Sequence, residues 1–304
     1  MIFNYVFYYA VFPGFLFLAV AGMAVSWIDR KVTARFQWRV GPPMMQPFYD
    51  LRKLLYKESF SPAGGNRLLF ALAPLISVIS IIIVADIVIL TFINPGITFI
   101  GDLIVVLYFF TLIPLASILG ASSSNNAFAS LGASREMKSI LSYELPLILT
   151  MLVPVIKAKS ILLGKIVGAQ AISGSFAGSV SGFLAFVTAM MCIQAKMGLA
   201  PFDISEAETE LAGGTLIEYS GPLLSLWKLG KMMLLVVAPV FVTVMFWGGG
   251  LKVLIVPKYA ALIAVFIILK NINPRVRIDQ SIRFFWGKMS VAAVIALALA
   301  VIGL

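Results

Sequence analysis

Eight long apolar runs separated by short polar breaks dominate the pattern along the chain. They cover roughly Tyr5–Ile28, Leu68–Ile93, Asp102–Gly120, Ser139–Ile156, Ser179–Met197, Leu223–Trp247, Leu251–Leu269 and Trp286–Leu304. An apolar run of about 18 residues or more is long enough, as a helix, to cross the hydrocarbon of a bilayer. The pattern therefore predicts an all-α integral membrane protein of about eight transmembrane helices, forming a single polytopic domain over residues 1–304.

The polar breaks orient these spans. No Lys or Arg precedes the first run, while Arg30, Lys31, Arg35 and Arg39 follow it. A cleaved signal peptide has the reverse arrangement, so the run reads as a retained span with its N-terminus outside. With charges at the span ends included, the loops after odd-numbered spans hold sixteen Lys and Arg, and those after even-numbered spans hold five. Basic residues gather on the cytoplasmic side, which places the odd loops there and both termini outside, in a cell (plasma) membrane.

Two cytoplasmic loops stand out. The first, about residues 29–67, contains a short amphipathic helix opened by Pro47. Phe48, Leu51, Leu54 and Leu55 share one face, while Arg52, Lys53 and Lys57 point elsewhere. Such a helix lies in the headgroup plane or offers a docking surface. The second, about residues 196–222, holds five of the chain's thirteen acids within sixteen residues: Asp203, Glu206, Glu208, Glu210 and Glu218. Asp203 followed by Glu206 suggests a capping box opening a short helix that Gly213 and Gly214 end. On that helix Asp203, Glu206 and Glu210 would share one face, with Glu208 on another.

Composition narrows the chemistry. The chain is 61% apolar and 12% charged, with a mean hydropathy of +1.03. A soluble fold of this size needs a more polar surface. The net charge of +10 follows from the basic loops, so it does not point to nucleic acid. With no His and a single cysteine, Cys192, the chain lacks the ligands that iron–sulfur clusters, haem or catalytic zinc require. No cofactor or metal is expected on this chain, and no catalytic residue.

Proton handling is what the acids suit. Neighbouring carboxylates resist ionising together and so share protons. Ionisable groups within spans are costly and usually serve a path. Glu144, read as lying near the cytoplasmic start of span four, would extend such a path. Lys228 and Lys231, at the start of span six, either pair with the acids or reach to the surface. Asp86 lies within span two, Asp29 reads as an end-of-helix charge, and Asp102 and Glu58 fall outside the expected path.

The segment Phe202-Asp203-Ile-Ser-Glu206-Ala-Glu208-Thr-Glu210-Leu, followed by Glu218-Tyr219-Ser220-Gly221, closely resembles the signature of the respiratory complex I subunit 1 (NuoH) family. The first loop agrees through Asp29-Arg30-Lys31, Ala34-Arg35-Phe36-Gln37, Arg39-Val40-Gly41-Pro42, Gln46-Pro47, Asp50 and Lys53-Leu54-Leu55. Ser142-Tyr143-Glu144-Leu145-Pro146 is a third match. The resemblance covers the whole chain and implies a proton path through Glu144, Asp203, Glu206, Glu208, Glu210 and Glu218, with Lys228 beside it. It also implies that spans two to six form a five-helix unit like those of antiporter subunits. The two cytoplasmic loops would form the interface with peripheral redox subunits, the first through Arg30, Lys31, Arg35, Gln37, Arg39, Gly41, Pro42, Asp50 and Lys53.

The sequence departs from quinone-reducing members at Gly41-Pro42-Pro43-Met44-Met45-Gln46-Pro47, where they carry a longer Gly-rich insertion, and at Asp29, where they have Glu. Both features are similar to the energy-converting, membrane-bound [NiFe] hydrogenases (group 4) and the related sulfane sulfur reductases. The implied function is the membrane anchor of an ion-translocating hydrogenase that links ferredoxin-driven H2 evolution to proton or sodium export. Its partners would be large and small hydrogenase subunits and an iron–sulfur subunit, which hold the nickel–iron site and the clusters, plus antiporter-like membrane subunits. The alternatives are a quinone-linked complex I subunit, the equivalent sulfur-reductase subunit and, in a different class, a stand-alone secondary transporter.

Overall fold

The computed structural model describes residues 7–62 and 64–304, apart from the side chains of residues 208 and 209. Its helices, numbered by chain order, are α1 (Phe15–Phe36), α2 (Gln46–Leu55), α3 (Arg67–Ile93), α4 (Asp102–Ser123), α5 (Ala127–Ala158), α6 (Leu163–Ser173), α7 (Val180–Lys196), α8 (Glu208–Leu211), α9 (Gly221–Trp247), α10 (Ile255–Ile272), α11 (Ile278–Arg283) and α12 (Ser290–Ile302). Six residues of π-helix, Phe284–Met289, join the last two. Among the described residues, seven helical segments are long and apolar enough to cross a membrane. The remaining predicted span, the fifth along the chain, is the shorter, 17-residue α7, packed against α5 and α12. The all-helical membrane architecture read from the apolar runs is the one observed.

Helix α9 is the hub. It packs against α1, α2, α3, α7 and α10, and most of its length is buried. Large apolar side chains such as Leu16, Tyr108, Phe183, Val256 and Val294 remain exposed around the outside of the bundle, where hydrocarbon rather than water would meet them. The loops after spans one, three, five and seven converge at one end. There Asn66 N–H donates to Ser123 O, Asn126 to Glu218, Phe60 N–H to Ser220 Oγ, and Val276 N–H to Pro201 O.

Span four begins earlier than the apolar pattern indicated. Helix α5 starts at Ala127, with Asn126 accepting from Phe128 N–H as its cap, and continues to Ala158. Ser134, Arg135, Glu136 and Lys138 interrupt the hydropathy but not the helix. Glu144 is therefore roughly 25 Å along the helix rather than near its start.

At the opposite end Asp102 is fully buried and accepts from the backbone N–H groups of Leu103 and Leu163, at 2.7 and 3.0 Å. It starts two helices at once, α4 and α6, which makes it structural rather than a free surface charge. Asp102→Ala is expected to remove this double cap, costing on the order of 1–3 kcal/mol. Asp102→Asn, which keeps an acceptor oxygen, should cost less. The temperature at which the purified complex releases this chain distinguishes the two.

Candidate functional site

The acidic loop does not form the helix that its spacing suggested. Only Glu208–Leu211 is α-helical, and Asp203 to Glu206 lie outside it, so no capping box forms and no helical face gathers three carboxylates. Three of the acids instead meet cations from other parts of the chain. Asp203 pairs with Arg275, in the loop after α10, at 2.7 Å. Glu206 pairs with Lys231 of α9, and Glu210 with Arg135 of α5. Glu218 accepts from Asn126 at the start of α5. The side chain of Glu208 lies outside the described residues. Mutual repulsion between acids would be relieved by separation, and three cations from three elements achieve it.

The loop is held from both ends. Tyr219 stacks on Phe70 of α3 with ring centroids 4.0 Å apart, and its hydroxyl donates to Phe70 O at 3.0 Å. Phe202 packs on Phe284 and Phe285 of the π-helical turn. In between, Gly214 has φ +55°, and a Cβ there would sit 1.8 Å from Ser205 O. Arg135 holds the Glu210 carboxyl below the usual glutamate range through a hydrogen bond and its charge. That contact is complete above the ordinary glutamate pKa and is lost only as pH falls through the lower, folded value.

Beneath the loop lies a cavity of about 60 Å³ lined by Ser77, Ser117, Glu136, Lys196, Asp203, Ser205, Glu206 and Lys231, with Trp227 and apolar side chains. An open cleft of about 400 Å³ adjoins it, bounded by Asp29, Arg30, Lys228 and Lys231. Glu206 and Lys231 line both, together with Met197, Gly198 and Leu216, so their ion pair is the charged part of the partition between cleft and cavity. Lys228 faces the cleft and has no ion-pair partner among the described residues.

On the far side of the cavity is the most demanding interaction in the chain. Lys196, at the end of α7, has a fully buried side chain and pairs with Glu144 at 3.1 Å. Its ammonium also lies 5.7 Å from the Phe110 ring centroid and 5.5 Å from that of Tyr143. Glu144 accepts a second hydrogen bond from Thr111 of α4 at 2.6 Å. A buried ammonium is tolerable only when opposite charge and ring faces replace its water. Asp86 stands apart: it is 4% exposed, and neither carboxyl oxygen meets a hydrogen-bond partner among the described residues.

Lys196 and Glu136 were not among the residues singled out from sequence, nor were the cations Arg135 and Arg275. Lys196 ends an apolar run, where a lysine ordinarily reaches to the surface. Glu136 sits in the polar stretch taken for a loop. Its position seven residues before Tyr143, hence on the same helical face, was the available signal.

The first loop divides into residues that fold it and residues that face outward. Arg30 pairs with Asp50 at 2.8 Å, Lys31 donates to Gly41 O, and Trp27 Nε1–H donates to Pro42 O. Burial opposes ionisation of Asp50, but the hydrogen bonds from Arg30 and Gln46 outweigh it and hold the carboxyl below its ordinary value. Arg35, Gln37, Arg39 and Lys53 are exposed. Leu51 of α2 is buried while Phe48 and Leu55 remain exposed.

Comparison with known proteins follows the whole chain. A family model described as NADH dehydrogenase matches residues 9–301. An NADH-quinone oxidoreductase subunit from Dehalococcoides mccartyi is 31% identical over 290 residues, covering 90% of this chain and 79% of that protein. Subunit 8 of the Thermus thermophilus NADH-quinone oxidoreductase is 33% identical over 299 residues, covering 89% and 80%. Among solved structures, a chain of the membrane-bound sulfane sulfur reductase, an archaeal respiratory membrane complex, is similar with a TM-score of 0.84 and 27% identity, covering 94% of this chain and 96% of that one.

Proposed function

The chain belongs to the NADH dehydrogenase (NuoH) family, and from that premise we propose that it couples a peripheral redox reaction to ion movement through the charged groups beneath its acidic loop. It is a multi-pass membrane subunit of a respiratory complex. The observation that carries the coupling role is the succession of charges from the cleft, through Glu206–Lys231 and the polar cavity, to the buried Lys196–Glu144 pair. The polar groups set into the cavity's wall, and its size, suit water. A proton entering from the cleft would meet Glu206 first, then Glu136 and water in the cavity, then the Glu144–Lys196 pair. Opening the Glu206–Lys231 partition is the natural control point, because a charge change in a docked subunit would alter that pair directly.

The parent complex is proposed to be a ferredoxin-linked, membrane-bound [NiFe] hydrogenase exporting protons or sodium. Its nickel–iron site and iron–sulfur clusters would lie in partner subunits docked on the exposed Arg35, Gln37, Arg39 and Lys53 and on the acidic loop. The short Gly41–Pro47 segment supports this reading over a quinone-reducing one. The fold likeness to the sulfane sulfur reductase chain favours, as a second reading, the equivalent sulfur-reducing complex. Supplying the purified complex with reduced ferredoxin separates them: H2 release supports the first and sulfide release from polysulfide the second. Rapid reduction of a soluble quinone with neither product would overturn both.

The charge asymmetry of the loops supports placing the acidic-loop end in the cytoplasm. Cysteines introduced at exposed Arg35 and Lys159 are expected to label from opposite sides of sealed vesicles, Arg35 from the cytoplasmic side. Labelling of position 35 from the outside would reverse the orientation.

A further inference from the structure

Lys196 lines the cavity beneath the acidic loop, whereas Glu144 does not. The ammonium therefore stands between the cavity and the carboxylate, 3.5 Å from Glu144 Oε1 and 3.1 Å from Oε2. Its side chain is fully buried, with the Phe110 and Tyr143 rings beside it. Glu136, Asp203, Glu206 and Lys231 are the other charged groups in the cavity wall. An ion moving from the cavity to Glu144 thus meets this ammonium first.

What can cross this point depends on the ion's chemistry. A sodium ion drawn from the cavity to Glu144 would have to share the carboxylate with the ammonium. Two unit charges about 4 Å apart, at an effective dielectric constant of ~20, repel strongly enough to disfavour occupancy about a thousandfold. A proton meets no such barrier, because it need not coexist with the ammonium as a separate charge. Lys196 can give an N–H proton to Glu144: one N–H bond breaks, one O–H bond forms, and the ion pair becomes a neutral pair. The amine then takes a proton from the cavity, and Glu144 passes its own proton on at its partly exposed side. One proton enters, one leaves, and ammonium and carboxylate are restored.

Thr111 accommodates both states of the carboxyl. Its hydroxyl lies 2.6 Å from Glu144 Oε1 and 2.9 Å from Leu107 O, within reach of both. It can donate to the carboxylate, or donate to Leu107 O and accept from the neutral acid. We infer that Lys196 is the ion-selecting group of the path: it relays protons from the cavity to Glu144 and keeps sodium from reaching it on that side. The inference rests on the path proposed above, and names both its ion and the group that transfers it.

Lys196→Arg in the assembled complex separates a relay from a fixed counter-charge. Arginine keeps the positive charge and the hydrogen bonds to the carboxylate but does not give up a proton in proteins. Proton uptake by inverted vesicles should therefore fall about a hundredfold or more in this variant. Uptake at the parental rate overturns the relay. A second measurement needs no change at Lys196. Infrared difference spectra recorded on acidifying the parental complex, less those of Glu144→Gln, isolate the band of the protonated Glu144 carboxyl. That band should appear, shift in D2O, and stay unchanged when sodium replaces choline at constant pH and ionic strength. Loss of the band as sodium is raised overturns the selectivity, and its absence at every pH overturns proton transfer to Glu144. Pumping by Glu144→Gln at the parental ratio would instead refute the path itself, so the two failures are distinguishable.

Discussion

Glu144→Gln in the assembled complex is expected to abolish ion uptake by inverted vesicles, and to slow electron transfer to the extent that the two are coupled. The substitution leaves the Lys196 ammonium buried against Phe110 and Tyr143 with no carboxylate opposite it. Removing one partner of a buried ion pair costs about 3–5 kcal/mol, so the variant is also expected to lower the yield of assembled complex. The charge-free pair Glu144→Gln with Lys196→Met separates these consequences. It deletes both charges together, and assembly should recover toward the parental level because a buried pair contributes little net stability over an apolar replacement. Pumping should not recover, since the carboxylate beyond the cavity is gone together with its ammonium partner. Loss of a positioned proton carrier typically costs 10²–10⁴-fold in the step that it serves, roughly the suppression expected here. If the assembled double variant pumps at the parental ratio of ions to electrons, the Lys196–Glu144 pair is a structural brace and the path runs elsewhere.

Gly214→Ala is expected to uncouple the complex although it alters no charged residue. At φ +55° a side chain is strained by about 1–2 kcal/mol, and the new Cβ would meet the Ser205 carbonyl, 1.8 Å away in the undisturbed backbone. The loop must move to admit it, and Ser205 lies between Asp203 and Glu206. Their pairing with Arg275 and Lys231 should therefore fail together, removing the partition between cleft and cavity. Faster hydrogen exchange across residues 203–220, with α5 and α9 unchanged, is the expected structural signature. Ion uptake per electron should fall in the same preparation. Parental exchange and parental coupling in this variant would show that the loop's placement does not control the path. Adding Lys231→Met to the variant should then worsen neither quantity further, because the contact it removes is already lost.

Much of the molecule was legible in its sequence for a direct physical reason. Hydrocarbon accepts only helices with their backbone groups paired internally, so long apolar runs report spans with little interference from tertiary context. Seven long spans and the shorter α7 follow from that, while the amphipathic α2 was marked by Pro47 and its own apolar face. The acidic loop was also visible, because its carboxylates gather in a chain otherwise poor in charge, and motif spacing carried the family.

What the sequence could not reveal is which charges meet. Helical spacing placed Asp203, Glu206 and Glu210 on one face, yet the chain turns through this segment, and each acid finds a cation that is 25 to 75 positions away. Polar residues at 134–138 read as a loop because hydropathy measures exposure to lipid. In the folded chain that helical turn lies over the acidic loop, with Arg135 paired to Glu210 and Glu136 in the cavity wall. Lys196 did not stand out in the sequence because its burial depends on Glu144, Phe110 and Tyr143, three partners supplied by two other helices. Apolar periodicity alone determined the spans. The charged path beneath the loop was decided by tertiary structure, since a buried charge is stable only beside a partner, and sequence distance does not report which partner folding brings there.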